Sequence, residues 1–241
     1  MKVNGIDTWE KYDALEWSVT PGHATINNES EWPAGWSLPQ IQSSTYGLKT
    51  IKIKVRVKGH DRMQILGRVS GLLSMFRRDV MLELDNLPTH YFFGALKSVD
   101  HPETVMRRYH MVTLEFIGYE CGKDIVKEFD NQKEFTIMNK GTQVSPAVIT
   151  ITPTADMISL VVTGIVRDKY TDEDIPVVIH NLKAGKSVVL NGLNGLILQD
   201  GENIMDQVDI YDRPSLLPGE NTITVDSETV KVNIKIRPIY I

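Results

Sequence analysis

Cysteine is almost absent from this sequence. The 241 residues include only Cys121, so a disulfide within the chain is excluded, and so is a structural zinc site built on several thiolates. The first residues, MKVNGIDTWEKYD, lack the apolar run of a signal peptide, and no segment approaches the roughly 18 apolar residues of a membrane span. We therefore expect a protein that is synthesised and assembled in a reducing cytoplasm, without membrane insertion.

An excess of positive charge is also missing. The 26 Lys and Arg residues are outnumbered by 31 Asp and Glu residues, which gives a formal net charge of -5. A nucleic-acid-binding domain usually has a strongly basic footprint, so no sequence-specific nucleic-acid partner is expected. Hydrophobic residues make up 41% of the chain, which is enough for a folded core.

Tryptophan is absent from everything beyond residue 40. All four tryptophans, Trp9, Trp17, Trp32 and Trp36, lie in the first part of the chain. The segment 31–39 combines two of them with two prolines and a glycine, which excludes a helix interior or a central strand. We interpret it as a long loop or an extended arm.

Alternation marks the clearest strand of the first half. Four apolar residues alternate with four cations, namely Ile51, Ile53, Val55 and Val57 with Lys52, Lys54, Arg56 and Lys58. This period of two predicts a strand with one apolar and one basic face. We interpret the basic face as one that keeps the sheet soluble and protects its edge, in preference to a DNA or membrane surface.

The sequence pattern of residues 61–78 predicts one helix. Asp61 can cap it, and Gln64 stands where a capping-box partner would. Apolar residues then recur at spacings of three and four, at Ile65, Leu66, Val69, Leu72, Leu73 and Phe76. Such an amphipathic pattern is typical of a helix that packs on a core. Residues 1–120 are therefore expected to form a mainly β domain with one helix.

The second half has a different rhythm. Residues 121–134 are polar and lose the alternation, so we predict a linker there. From residue 135 to 241, short strand-like runs are separated by turn residues, and no helical period of useful length occurs. This pattern predicts an all-β sandwich as the second domain.

No catalytic, cofactor-binding or metal-binding motif emerges from the sequence. The six histidines are scattered, without the spacing of a zinc-protease helix. Residues 180–187, HNLKAGKS, end like a phosphate-binding loop but lack its first glycine. Asp168, Asp172, Glu173 and Asp174 lack calcium-loop spacing, and a solvated loop is the preferred interpretation. We therefore expect a protein that is not an enzyme and has no cofactor.

Several motifs of the second half resemble a known family. They are IMNKGTQVSPAVITI at residues 137–151, Asn191-Gly192, and PSLLPGENTIT at residues 214–224. In this order and spacing they are similar to the C-terminal domain of siphophage distal tail proteins. The first half is similar to that family too, in its strand-to-helix unit at 51–76 and its closing strand at 112–116.

This resemblance implies a structural role in the virion. Family members form a ring, usually of six subunits, in which the N-terminal domain is the ring body and the C-terminal galectin-like sandwich points outward. The implied partners are other copies of the chain, the tail tube protein, a tail-associated fibre or lysin protein, and receptor-binding proteins. The implied location is the tail tip, and "galectin-like" names a fold without establishing sugar binding.

The resemblance gives the aromatic arm a role. We predict that Trp32, Pro33, Trp36 and Pro39 form a contact between subunits, because large aromatic side chains are enriched at interface hot spots. The alternative is that the arm folds back onto its own domain.

A different function class also remains open. The chain could be a glycan-binding module of a host-adhesion device, with residues 135–241 binding polysaccharide. Sugar sites usually offer aromatic platforms, so the absence of tryptophan from this domain counts against that alternative.

Overall fold

The chain folds into two compact units. The structure is a computed structural model that describes residues 1–31, 37, 40–101, 108–168, 171 and 173–240. The units comprise residues 1–121 and 122–240. Each has its own cluster of buried apolar side chains.

The first unit is built on one antiparallel sheet. Its elements are β1 (Lys2–Val3), β2 (Ile6–Asp7), α1 (Thr8–Tyr12), β3 (Ala14–Pro21), β4 (Ile26–Glu31), β5 (Gln40–Tyr46), β6 (Lys49–Lys58), α2 (Arg62–Ser74), β7 (Val80–Glu83), β8 (His90–Asp100) and β9 (Tyr109–Gly122). The strand order within this unit is β2-β1-β7-β8-β9-β6-β3. Strands β4 and β5 pair with each other as a separate two-stranded sheet.

Strand β6 behaves as its alternation predicts. Its four apolar side chains are buried in one core with Ile65, Val69 and Leu72 of α2. Asp61 caps α2 by accepting a hydrogen bond from the Gln64 backbone N–H at 2.8 Å. The amphipathic pattern therefore identified a helix that covers one face of the sheet.

The helices differ from the prediction in two respects. Helix α2 ends at Ser74, short of the predicted residue 78, because the N–H groups of Met75 and Phe76 bond to carbonyls three residues back and close the helix. Phe76 then packs edge-on against Phe116, with ring centroids 5.1 Å apart. Helix α1 was not predicted, because five residues are too few to show a helical period.

The second unit is a sandwich of two antiparallel sheets. Its elements are β10 (Ile125–Asp130), β11 (Glu134–Asn139), β12 (Ser145–Pro153), β13 (Met157–Thr163), β14 (Val177–Leu182), β15 (Val188–Asn191), β16 (Ile197–Gln199), β17 (Glu202–Asn203), the 3-10 turn η1 (Met205–Gln207), β18 (Val208–Asp209), β19 (Ser215–Leu216), β20 (Gly219–Val225), β21 (Val230–Ile236) and β22 (Ile239–Tyr240). One sheet has the order β10-β21-β12-β15-β16-β17, with β19 also paired to β12, and the other has β11-β20-β13-β14-β18. Inward side chains of both sheets share one core, which confirms the predicted mainly β architecture and sandwich.

The predicted linker at residues 121–134 is wrong for much of its length. Strand β9 continues through Gly122, and β10 pairs with β21 from Ile125↔Ile236 to Asp130↔Lys231. Just before β10, the Arg237 guanidinium hydrogen-bonds the Asp124 carboxylate and holds the pKa of that group below its usual value. Strand β10 lies at a sheet edge with mostly exposed side chains, so the apolar alternation that signals a strand is missing from it.

The packing of α2 predicts that truncating two leucines of this helix will lower the free energy of unfolding by different amounts. Leu72 is fully buried, whereas 46% of Leu66 is exposed. We expect Leu72→Ala to lower the free energy of unfolding of this unit by about 2–5 kcal/mol, and Leu66→Ala by less than about 0.5 kcal/mol. Denaturant unfolding followed by tryptophan fluorescence reports on this unit, because all four tryptophans belong to it. Equal losses in the two variants would mean that the helix face is wrongly assigned.

Candidate functional site

The four predicted contact residues, Trp32, Pro33, Trp36 and Pro39, lie outside the described residues. The strands that precede and follow them in the sequence are paired. Strands β4 and β5 run antiparallel from Ile26↔Tyr46 to Glu31↔Gln40, with a register shift between Glu29 and Ser30. The predicted contact therefore remains a prediction.

An exposed pair of aromatic residues lies at the β3 end of the first sheet. Strand β3 is the last in the strand order and has a bulge between Glu16 and Ser18. At that bulge, 57% of Trp17 is exposed, and the Arg56 guanidinium lies 4.8 Å from its ring centroid. On α1, 40% of Trp9 is exposed, with the Lys58 ammonium 5.1 Å from its ring centroid. Exposed Trp beside cations is typical of protein interfaces.

The basic face of β6 is neutralised at one end. Glu115 of the neighbouring β9 contacts Lys97 at 2.8 Å and Lys52 at 3.8 Å. The hydrogen bond from Lys97 lowers the pKa of the Glu115 carboxyl. Towards the other end, Arg56 and Lys58 form no ion pair with the described residues. Unbalanced positive charge on this face is therefore concentrated around the second half of β6.

The motif residues of the second unit have structural roles. Asn139, from the motif at residues 137–151, is buried and donates to the carbonyls of Gln143 and Leu216. Its side-chain oxygen accepts from the Gly141 backbone N–H at 3.0 Å. This one amide joins the turn after β11 to strand β19 and satisfies backbone groups that water cannot reach.

Asn221 organises the Pro-Gly turn in the same way. Its side-chain oxygen accepts from the Leu217 backbone N–H at 2.9 Å, and its amide nitrogen donates to the carbonyls of Leu217 and Gly219. Gly219 has a φ of +94°, which a side chain would strain. At Gly192, an added Cβ would collide with the carbonyl oxygens of Pro214 and Ala147. These motif positions are determinants of the fold.

Loss of the Asn139 amide should destabilise the second unit. We expect Asn139→Ala to lower its free energy of unfolding by about 3 kcal/mol, because a buried N–H and a buried carbonyl lose their partner. The control Asn233→Ala removes an amide that donates to Glu128 at the surface and should change it by less than about 0.5 kcal/mol. Calorimetry is the suitable measurement, since this unit has no tryptophan. Similar thermograms for the two variants would contradict the assigned role.

Two of the scattered histidines meet in the structure. His101 Nδ1 lies 3.4 Å from His110 Nε2, and the rings stack with centroids 5.7 Å apart. His110 is buried, and its Nδ1 has no hydrogen-bond partner among the described residues. Burial, and secondarily the charge of His101, lower the pKa of His110. In the described part of the chain, no three His, Cys, Asp or Glu side chains are grouped to hold a metal ion.

The buried imidazole predicts a loss of stability in acid. The pKa of His110 is lower in the folded state than the ordinary value of 6.5, so below that pH the unfolded chain binds more protons. The free energy of unfolding should therefore fall as the pH drops below about 6.5. His110→Gln should flatten this slope, while the control His23→Gln, at an exposed position, should leave it intact. Denaturant titrations at several pH values test it, and an unchanged slope in His110→Gln refutes it.

The described residues of the acidic cluster, Asp168, Glu173 and Asp174, make ion-pair and hydrogen-bond contacts within one turn. Asp174 contacts the Arg167 guanidinium at 3.1 Å. Asp168 accepts from the Thr171 backbone N–H at 3.0 Å, and its own N–H donates to the Glu173 carbonyl. Asp172 lies outside the described residues. These contacts fit the interpretation of a solvated loop between strands.

Two adjoining cavities lie on the second unit. Their volumes are about 350 and 410 Å³, and Asp212, Arg213 and Pro214 line both. The first also contains Asn191 and Tyr211, and 61% of Tyr211 is exposed. An aromatic ring beside amide and charged groups is the composition of a simple sugar site, so this cleft is where the glycan-binding alternative would place its ligand.

Residues 140–240 match the family model of the siphovirus-type tail component, C-terminal domain. The match begins directly after Asn139 and covers most of the second unit. Most of this unit is therefore similar to that C-terminal domain. The predicted resemblance to a siphophage tail component is thereby confirmed, and the Asn and Gly positions described above lie within the matched residues or directly before them. No curated protein matches the chain.

Solved structures extend the likeness to nearly the whole chain. The SPP1 Dit (gp 19.1) protein, described as a paradigm of the hub adsorption apparatus in phages that infect Gram-positive bacteria, superposes with a TM-score of 0.76 at 15% identity, over 99% of this chain and 98% of that one. The phage P2 baseplate in its activated conformation with Ca contains a chain with a TM-score of 0.54 at 10% identity, over 93% of this chain and 90% of that one. At such identities the likeness shows the fold.

The two helices can also be compared with the length and hydrophobicity of a membrane span. Neither α1 nor α2 is long and apolar enough to cross a bilayer in the part of the chain that the structure describes.

Proposed function

We propose that this chain is a structural subunit of a siphophage tail tip, a distal tail protein that forms the hub between tail tube and baseplate. The observation that carries the proposal is the family match of residues 140–240 together with a fold shared over 99% of the chain with a hub protein. The role is architectural and not catalytic, and the protein resides in the virion tail after assembly in the host cytoplasm.

The partners follow from this architecture. Copies of the chain would close into a ring, with the tail tube protein on one side and the tail-associated fibre or lysin protein on the other. Receptor-binding proteins would attach to the second unit. A ring of identical subunits uses head-to-tail contacts and closes only at a fixed rotation. Exposed Trp9 and Trp17 at the β3 end of the first sheet are the kind of side chain that such contacts use.

Assembly is the direct test of this proposal. We expect light scattering coupled to gel filtration to give a closed six-subunit ring of about 160 kDa from the 27.2 kDa chain. Smaller species that close into this ring when the tail-tube or fibre protein is added would also support the proposal. A monomer at all concentrations that joins neither protein would end it.

The aromatic arm offers a finer test. We propose that Trp32, Pro33, Trp36 and Pro39 contact a neighbouring subunit, since aromatic anchors at interfaces often cost about 2 kcal/mol or more on truncation. Trp32→Ala combined with Trp36→Ala should leave a folded monomer that does not assemble, and the ring repeats this loss at every interface. Tyr211→Ala, at an exposed aromatic residue of the second unit, is the control and should assemble normally.

The two other results for the arm have distinct meanings. If the double variant unfolds, the arm belongs to the core of its own unit. If it assembles as the parent does, the arm is neither core nor interface. Circular dichroism with gel filtration separates the three cases.

The glycan-binding alternative rests on the cleft beside Tyr211. We expect no saturable binding of purified host-wall polysaccharide to the full chain, because a single exposed tyrosine is a weak platform and the unit has no tryptophan. Saturable binding that Tyr211→Ala abolishes would favour the adhesion module over the purely architectural role.

A further inference from the structure

A basic pocket lies where the end of β6 meets α2 and the start of β9. Its volume is about 420 Å³. Cations from distant parts of the chain line it, namely Arg56, Lys58, Arg68 and Arg108, together with Asp13 and Tyr109. The antiparallel register, in which Lys58 is paired with Tyr109, brings these elements together.

Only one of these cations is neutralised within the described residues. Arg68 contacts Asp13 at 2.5 Å and donates to the Lys58 carbonyl at 2.6 Å. Arg56, Lys58 and Arg108 have no carboxylate partner there. Like charges held this close in a concave surface raise the local potential and favour an anion between them.

Arg56 also has an unused hydrogen-bond donor. Its Nε is shielded from solvent, yet it has no hydrogen-bond partner among the described residues. Buried donors without a partner are rare in folded proteins and call for an explanation, such as a bound group. The stacking of Arg56 on Trp17 and of Lys58 on Trp9 holds both cations beside the pocket.

We propose that this pocket binds a carboxylate side chain from an acidic segment of a protein partner. An arginine fork matches the geometry of a carboxylate, and Arg56 and Arg108 are placed to supply it. This site goes beyond the proposed hub function and does not depend on it, because the groups that would bind the carboxylate are present in the chain itself.

The surroundings of the pocket favour a protein over a nucleic acid or a lipid surface. Tyr109 lines it, and the exposed Trp9 and Trp17 lie against its lining residues Lys58 and Arg56. Aromatic residues with arginine are the composition of protein interfaces. The basic surface is interrupted at the Lys52 end, where Glu115 contacts Lys52 and Lys97.

The test uses the full chain and a fluorescein-labelled hexaglutamate peptide, with binding followed by anisotropy at low salt. We expect saturable binding of one peptide per chain, weakened by added chloride. Arg56→Gln and Arg108→Gln should each weaken binding about tenfold, since each removes a charge-assisted hydrogen bond. Arg108→Gln changes an exposed side chain, so it keeps the test valid if Arg56→Gln is unstable.

The matched control is Lys54→Gln. Lys54 lies on the same strand and the same exposed face as Arg56 but outside the pocket. It should change the affinity by less than about twofold. A hexaglutamine peptide of equal length should not bind.

Four results would overturn the proposal. The first is no saturable binding of hexaglutamate, and the second is an equal loss in Lys54→Gln, which would indicate a diffuse basic surface. The third is binding of inorganic phosphate at Arg56 and Arg108 without binding of the peptide, which would indicate a site for free anions. The fourth is tighter binding of a short DNA duplex or of anionic vesicles through the same residues, which would assign the pocket to another class of partner.

Discussion

Strand β6 sets the constraint on which the first unit depends. Its four apolar side chains enter the core with α2, which buries a continuous apolar surface and supplies the main driving force for folding. Because strand side chains alternate, burying this face obliges the four cations to point to the other side. The exposed side of the sheet is therefore basic as a consequence of packing, and its partners must compensate or tolerate that charge.

Compensation is uneven along the strand. Glu115 neutralises the Lys52 end, while the other end collects Arg68 and Arg108 from elements remote in the sequence. Asp13 has a left-handed backbone conformation at the end of α1. Among the cations of the pocket, it forms an ion pair only with Arg68. Positive charge therefore stays unbalanced at the Lys58 end of β6.

The sequence was informative wherever one face of an element is buried. The alternation of β6 and the periodicity of α2 were recognised because burial imposes a pattern on neighbouring residues. Strand β10 was not predicted, because an edge strand with both faces largely exposed has no such pattern. The basic pocket was not predicted for a different reason. Arg56 belongs to the solvent-exposed face of a strand, and no local sequence pattern connects it to Arg108, fifty-two positions later.

The motifs that carried the resemblance proved to be architectural. Asn139 and Asn221 bond to backbone groups at turns, and Gly192 allows two carbonyl oxygens to approach the chain. Such positions constrain the residue type strongly, whereas core positions accept many apolar side chains of suitable size. A fold shared with SPP1 Dit at 15% identity is compatible with this division. The turns of the second unit are specified by a few polar and glycine residues, and the rest of the sandwich needs only its alternation.

The edge of the first sheet shows how solubility and recognition can share the same residues. An edge strand with free backbone groups invites uncontrolled pairing, and natural sheets limit it with bulges and charges. Strand β3 has a bulge at Trp17, and Arg56 covers that ring. These features hinder an arbitrary strand from adding to the edge. They also present an aromatic and cationic surface that a matched acidic partner can neutralise. The same residues that hinder unspecific strand pairing can therefore select an acidic partner.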